Sequence, residues 1–307
     1  MHEHVARFLY YLAIHLLYAS IAGLAAWGLT SVRAGSATAK YWIWVATSLN
    51  FLFPLGAVVD ELWASHLSWA SPLGFIGGPI YTLTGSPVAG VVAAVWLVGA
   101  TAMLARLGLR IRAERRDDRS LTDDDVRPGF LARGIPVRFG SCREAPVVHG
   151  LLRPRISLPD GIERLLSERE LHAVLLHETT HARRRDNLIR LLHEVCLCGL
   201  WFHPLVWLTG ARLAMYRELS CDESVIDGAH GEELLSALAK LVNPEKSFVL
   251  QATATSFLRH RLIRLAAPAR PMTAATSAIL MALFAGVLLW AVVGTVAHTA
   301  CCFVARS

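Results

Sequence analysis

The 307-residue sequence is poor in charge and in cysteine: 18% of its residues are Asp, Glu, Lys or Arg, against 54% hydrophobic. That balance excludes a disordered chain and a charge-rich coiled coil. The six cysteines are scattered without repeated finger spacing, which excludes a disulfide scaffold and a zinc-finger array. There is no internal repeat, and His15 alone is ionisable in the middle of an apolar run. Both points argue against an inverted-repeat transporter. Between Arg106 and Arg270 there are 24 Arg and 2 Lys against 21 acidic residues. No helix-turn-helix pattern accompanies this positive excess, so it fits lipid headgroups rather than direct nucleic-acid binding.

The apolar residues cluster in four runs: Phe8–Leu29, Tyr41–Val59, Val88–Leu107 and Thr273–Ala297. Each approaches the ~20 residues that cross a bilayer core. The first lacks a basic n-region and is too long for a secretory h-region. The second carries Pro54, which a buried helix tolerates when its neighbours satisfy the freed carbonyl. A mainly α, four-helix multipass membrane protein is expected in the bacterial cytoplasmic membrane. Its regions are residues 1–107 with three spans, a soluble α+β domain over 108–272, and a fourth span with a short tail over 273–307. Arg106, Arg110, Arg112, Arg115 and Arg116 follow the third run, while the preceding loop holds Asp60 and Glu61 without Lys or Arg. By the positive-inside rule the soluble domain faces the cytoplasm and both termini lie outside. Trp63 and Trp69 in that loop read as interfacial anchors.

Within 108–272, residues 135–140 and 145–148 read as strands. The piece RISLP, bounded by Pro154 and Pro159, reads as an edge strand or a short element, and an edge is where an extended peptide adds. Ser167 and Glu170 form a capping box that opens the helix ELHAVLLHETTHARR. Leu188 to Met215 is apolar and broken at Gly199 and His203-Pro204. It predicts a helical hairpin, either core or partly sunk in the membrane interface, whose second arm runs to Asp227. Further helices are expected over 231–243 and 256–266.

The chemistry centres on His177-Glu178-Thr179-Thr180-His181, an HExxH motif. The i,i+4 spacing sets two imidazoles on one helix face, able to share a zinc ion (Zn2+), with Glu178 placed as general base toward the metal's water. A third ligand is needed, and Glu218 in YRELSCDESV is the candidate, returned by the hairpin. Asp222, one turn later, either orients a ligand histidine or approaches the zinc itself. Cys221 is able to bind zinc as a thiolate, but a buried small hydrophobe is the favoured reading, because His/His/Glu already leaves the open position that catalysis needs. His203, at the hairpin break, is a second metal candidate with a structural role favoured. His203 and Tyr216 are the candidate oxyanion donors. Cys196 and Cys198 read as packing.

HAVLLHETTHARRRDNL, WFHPLVWL, YRELSCDESV and the upstream GLLRPRISLP together resemble the BlaR1/MecR1-type membrane metallopeptidases of family M56, and more distantly the M48-type membrane zincins. The resemblance implies a cytoplasmic-facing gluzincin fold. It implies zinc on His177, His181 and Glu218, and Glu178 as catalytic base. It also implies cleavage of a protein substrate such as a BlaI/MecI-like repressor. The archetypes carry an external penicillin-binding sensor after the last span. The residues after Ala297 have no room for one, so β-lactam acylation is not expected of this sequence. The expected function is a membrane-anchored zinc endopeptidase. The alternative is a non-proteolytic membrane signal transducer or scaffold that keeps a structural zinc.

Overall fold

The computed structural model of the chain describes residues 2–32, 35–53, 88–120, 131–140, 145–241, 261–263, 265–266 and 274–304. Three long helices, α1 (His2–Ser31), α3 (Val88–Ser120) and α9 (Ala274–Val304), contain segments long and apolar enough to cross a membrane: Leu9–Ser31, Gly90–Glu114 and Ala274–Thr295. They leave large apolar side chains uncovered, among them Leu24, Val91, Val95, Val98, Leu283 and Leu289. So extensive an apolar surface needs lipid or another protein against it. These helices are consistent with a multipass membrane protein.

Among the described residues three of the four expected runs give helices long and apolar enough to cross a membrane. The second run gives α2 (Ala37–Leu52), a helix of 16 residues. Residues 54–59 of that run lie outside the described residues, as do Trp63 and Trp69. Rather than facing lipid, α2 is enclosed: Tyr41, Ile43, Trp44 and Phe51 are buried, and so are Lys40, Thr47, Ser48 and Asn50. Neighbouring segments give partners to two of these polar groups. Lys40 donates to Val32 O at 2.6 Å, and Ser48 meets His193 Nδ1 at 2.9 Å. Hydropathy alone does not separate a helix wrapped by protein from one wrapped by lipid.

A four-stranded sheet follows, in the order β1 (Leu131–Ala132), β2 (Ile135–Gly140), β4 (Arg155–Pro159), β3 (Val147–His149). β1 and β2 form a hairpin over Arg133 and Gly134, both at positive φ, as a tight primed turn requires. β4 pairs in parallel with β2 and antiparallel with β3, so RISLP is an interior strand, not an edge. The proline rule misplaced it because Pro154 precedes the strand and Pro159 ends it, leaving the N–H groups between them free to pair. The edge beside β4 is β3. Val137, Phe139, Ile156 and Leu158 are buried on one core with Ala173 and Val174.

After the short α4 (Ile162–Leu165), α5 (Glu168–Arg184) supplies Ala173 and Val174 and carries the histidine motif. Its capping box is formed: Ser167 N–H donates to Glu170 Oε2 at 2.7 Å, and Glu170 N–H to Ser167 Oγ at 3.4 Å. The same carboxylate accepts from Ser236 and Lys240 on α8 (Gly231–Leu241) at 2.5 and 2.7 Å, so one acid both starts α5 and fastens α8 to it. Arg185, at φ 56°, ends α5 and opens α6 (Asp186–Gly199) with no loop between. After a break, Pro204 starts α7 (Pro204–Asp227), which returns along α6.

The hairpin's apolar tip packs on the membrane helices. Cys196, Leu200 and Val206 join Ala19 of α1 and Phe51 of α2. Trp201 lies so close over Gly99 of α3 that a Cβ there would collide with its indole. Trp96 donates to Gly199 O at 2.7 Å. His203 belongs to this tip, its Nε2 3.2 Å from Ser20 Oγ.

The bonds from Lys240, Ser236 and the Ser167 backbone lower the Glu170 pKa to about 2, against 4.5 for an ordinary glutamate. A depressed acid stabilises the fold above its unfolded pKa and loses that contribution as pH falls through the folded one. Glu170→Gln is therefore expected to lower Tm at pH 7, with the gap to wild type narrowing steadily from pH 5 to pH 2. A gap constant with pH in thermal melts would contradict this.

Candidate metal centre

One turn of α5 separates His177 from His181, and their rings converge. The two Nε2 atoms stand 3.2 Å apart. The hairpin brings Glu218 of α7 to them, with Oε2 3.7 Å from each Nε2. A tetrahedral zinc with bonds of about 2.0–2.1 Å has ligand–ligand edges of about 3.3–3.4 Å, so this triangle is of the right size. His177, His181 and Cys221 also form a metal-capable group, with one ligand atom from each lying within 4.8 Å of the others. Cys221 thus stands inside the cluster, the reading that the sequence placed second to packing. Its sulfur is 3.4 Å from His181 Nδ1, whereas Glu218 meets the Nε2 atoms. The donor set of two imidazoles, a carboxylate and a thiol suits a borderline-soft transition metal.

The far ring nitrogens are held by acids. Asp186 Oδ2 is 2.7 Å from His181 Nδ1. Asp222 Oδ1 is 3.2 Å from His177 Nδ1, within ion-pair range though off the hydrogen-bonding line. Guanidinium groups face these acids in turn. Arg261 donates to both oxygens of Asp222, at 2.7 and 2.8 Å, and reaches Glu218 Oε2 at 3.4 Å. Arg217 donates to Glu218 Oε1 at 2.9 and 3.0 Å. Arg184 donates to Asp186 at 2.6 Å, to Cys221 at 2.9 Å, and to Ser220.

Burial works against a charged imidazole at His181, but the Glu218 carboxylate, the Cys221 sulfur and the Asp186 bond outweigh it and hold the pKa well above the ordinary value. Burial likewise opposes ionisation of Glu218, and the His181 charge, the contacts with both imidazoles and the Arg217 guanidinium outweigh that. The centre favours positive charge between the rings, which is what a divalent cation supplies.

Glu178 lines a cleft of about 220 Å³ together with His181, Glu218 and Arg217, and Val147 and Val148 of strand β3 form its other wall. Asn187 donates to Val148 O at 2.8 Å on that wall. The other two candidates lie elsewhere. His203 is the N-cap of α7, 15 residues before Glu218, which is about 22 Å of helix. The buried Tyr216 turns its hydroxyl to Thr30 O at 3.0 Å, so it is no oxyanion donor to this cleft. Sequence reasoning missed the bond of Asp186 to His181 and the placing of Arg261. Asp186, five residues after His181, carried a faint signal, while Arg261, 39 residues from Asp222, carried none.

Because Asp222 stands behind His177, Asp222→Asn is expected to weaken zinc binding about 10- to 100-fold. Competition against a chromophoric chelator measures it, and unchanged affinity would separate Asp222 from the metal centre.

The family described as BlaR1 peptidase M56 matches residues 78–265, more than half of the chain. The regulatory protein BlaR1 of Bacillus licheniformis is 30% identical over 146 residues, which cover 43% of this chain and 24% of that protein. The methicillin resistance MecR1 protein of Staphylococcus aureus strain Mu50 is 26% identical over 97 residues, 32% of this chain and 17% of that protein. The chain therefore spans about a quarter or less of the length of these relatives. The matched stretch contains the histidine helix, the returning arm with Glu218 and Cys221, and Arg261; by that match the chain belongs to the BlaR1 peptidase M56 family.

Proposed function

We propose that this chain is a membrane-anchored zinc endopeptidase in a BlaR1-like signalling system. The observation that carries the reading is the placing of Glu218 Oε2 at equal distance, 3.7 Å, from the paired Nε2 atoms, beside a cleft that also holds Glu178. In this reading His177, His181 and Glu218 hold the zinc, with Asp186 and Asp222 behind the two histidines. Bound zinc supplies Lewis acidity and brings the pKa of water toward neutrality. Glu178 takes the proton from the attacking water and delivers it to the leaving amine, so that water adds across the C–N bond. An extended substrate runs along β3, whose outer side forms a wall of the cleft.

The proposed substrate is a protein, of the BlaI/MecI-like repressor type on the strength of the family, and the lipid bilayer is the second partner. The arginines following the third apolar run put the 108–272 domain on the cytoplasmic side with the termini outside. The three regions 1–107, 108–272 and 273–307 are kept as the proposed domain plan.

A second reading has its own support. Cys221 stands with His177 and His181 in the metal-capable group, while Arg217 and Arg261 both engage Glu218. A His/His/Cys site with Glu218 retained by arginines describes a metal-stabilised transducer without hydrolysis. The names of the relatives denote regulation and resistance, which suit a signalling role in either reading.

Two variants separate the readings. Glu178→Gln is expected to keep the metal and to lose cleavage of a co-expressed repressor by about 100-fold or more. Retained cleavage would remove Glu178 from the mechanism, and an unchanged cellular response despite lost cleavage would favour the transducer. In cobalt-loaded protein, Cys221→Ser is expected to leave the spectrum without change. Loss of a sulfur-to-cobalt charge-transfer band in that variant would assign the third ligand to Cys221 instead of Glu218.

A further inference from the structure

The acid behind His181 is shared with α2, the helix enclosed between the long apolar helices and the hairpin. Asp186 is 3% exposed, and its two oxygens are divided. Oδ2 meets His181 Nδ1 and the Arg184 guanidinium, at 2.7 and 2.6 Å. Oδ1 accepts from the Tyr41 hydroxyl of α2 at 2.7 Å. Tyr41 is fully buried, and the Arg184 guanidinium lies over its ring, 4.4 Å from the centroid. With donors on both oxygens the carboxylate has no freedom to rotate, and the imidazole it holds is fixed in turn.

Two more ties join the same corner of the bundle to the metal-facing arm. Glu223, next to Asp222, accepts from Ala37 N–H, Thr38 N–H and the Thr38 hydroxyl, each at 2.9 Å, and so caps the start of α2. Tyr216, two residues before Glu218, donates to Thr30 O near the end of α1. Of the three ties, only the one through Tyr41 reaches a histidine by an unbroken chain of side-chain hydrogen bonds.

We propose that Tyr41 is a positioning residue for the metal centre, fixing His181 through Asp186, so that a displacement of α2 changes the metal geometry. The inference rests on the reading of His181 as a metal ligand. It gives a signal in the membrane helices a physical route to the centre, made of one phenol, one carboxylate and one imidazole.

The test uses the full chain in lipid nanodiscs, with zinc affinity from chelator competition and the ligand-field spectrum of the cobalt form. Tyr41→Phe is expected to weaken zinc binding about tenfold, the low end of the range for groups behind a ligand, and to shift the cobalt bands. Trp44→Phe, which alters a buried α2 residue in the packing core, is expected to lower Tm while changing neither readout. In an Asp186→Asn background Tyr41→Phe is expected to have no further effect, because the link is already cut. Wild-type affinity and spectrum in Tyr41→Phe would overturn the link and leave the metal reading standing. So would full additivity with Asp186→Asn, or an equal effect of Trp44→Phe. A wild-type chain that takes up neither zinc nor cobalt would overturn both.

Discussion

Two imidazoles one helical turn apart present a fixed pair of nitrogens to a metal when their outer nitrogens are held, because each ring otherwise rotates about its own bonds. That constraint organises this protein. Asp186 holds His181 from the first turn of α6, and Asp222 stands behind His177 from α7. Both acids are buried, so each needs positive charge beside it, and Arg184 and Arg261 provide it. The centre is therefore a layered alternation: two bases, then acids, then guanidinium groups, each layer answering the charge of the one inside it.

The sharp bend at Arg185 makes this layering reachable. A left-handed residue at the end of α5 lets α6 start at once, which puts Asp186 back beside the helix it has just left. The hairpin then spends its apolar residues on α1, α2 and α3, and its second arm returns with Glu218, Cys221 and Asp222. Membrane helices and metal centre are thus parts of one packing scheme. The enclosed α2 is common to both: Tyr41 and Trp44 share a buried core with Leu213, Tyr216 and Leu219 of α7.

Much of this is written locally. Ser167 and Glu170 announce the start of α5, and the four-residue spacing of His177 and His181 puts them on one face. The nearness of Glu218 could be read from a hairpin broken at Gly199 and Pro204, since an arm that doubles back must pass the helix before it. What was illegible depends on contacts distant in sequence. An arginine at position 185 does not advertise a left-handed conformation, so the return of Asp186 to His181 and Tyr41 was hidden. Arg261 meets Asp222 across 39 residues with no periodic pattern to mark it. The hydrophobicity of α2 and the prolines around β4 were visible, but what they mean depends on neighbours: helices enclose α2, and strands flank β4 on both sides.

The close seat of Trp201 on Gly99 bears on how such a molecule is made. The indole needs a bare stretch of a helix that is itself apolar enough to cross a bilayer, and the tip it anchors leads into the arm that carries Glu218. Biogenesis and completion of the centre are thereby tied together. A copy still in transit, with its third helix not yet inserted, lacks one of the three surfaces on which the hairpin seats.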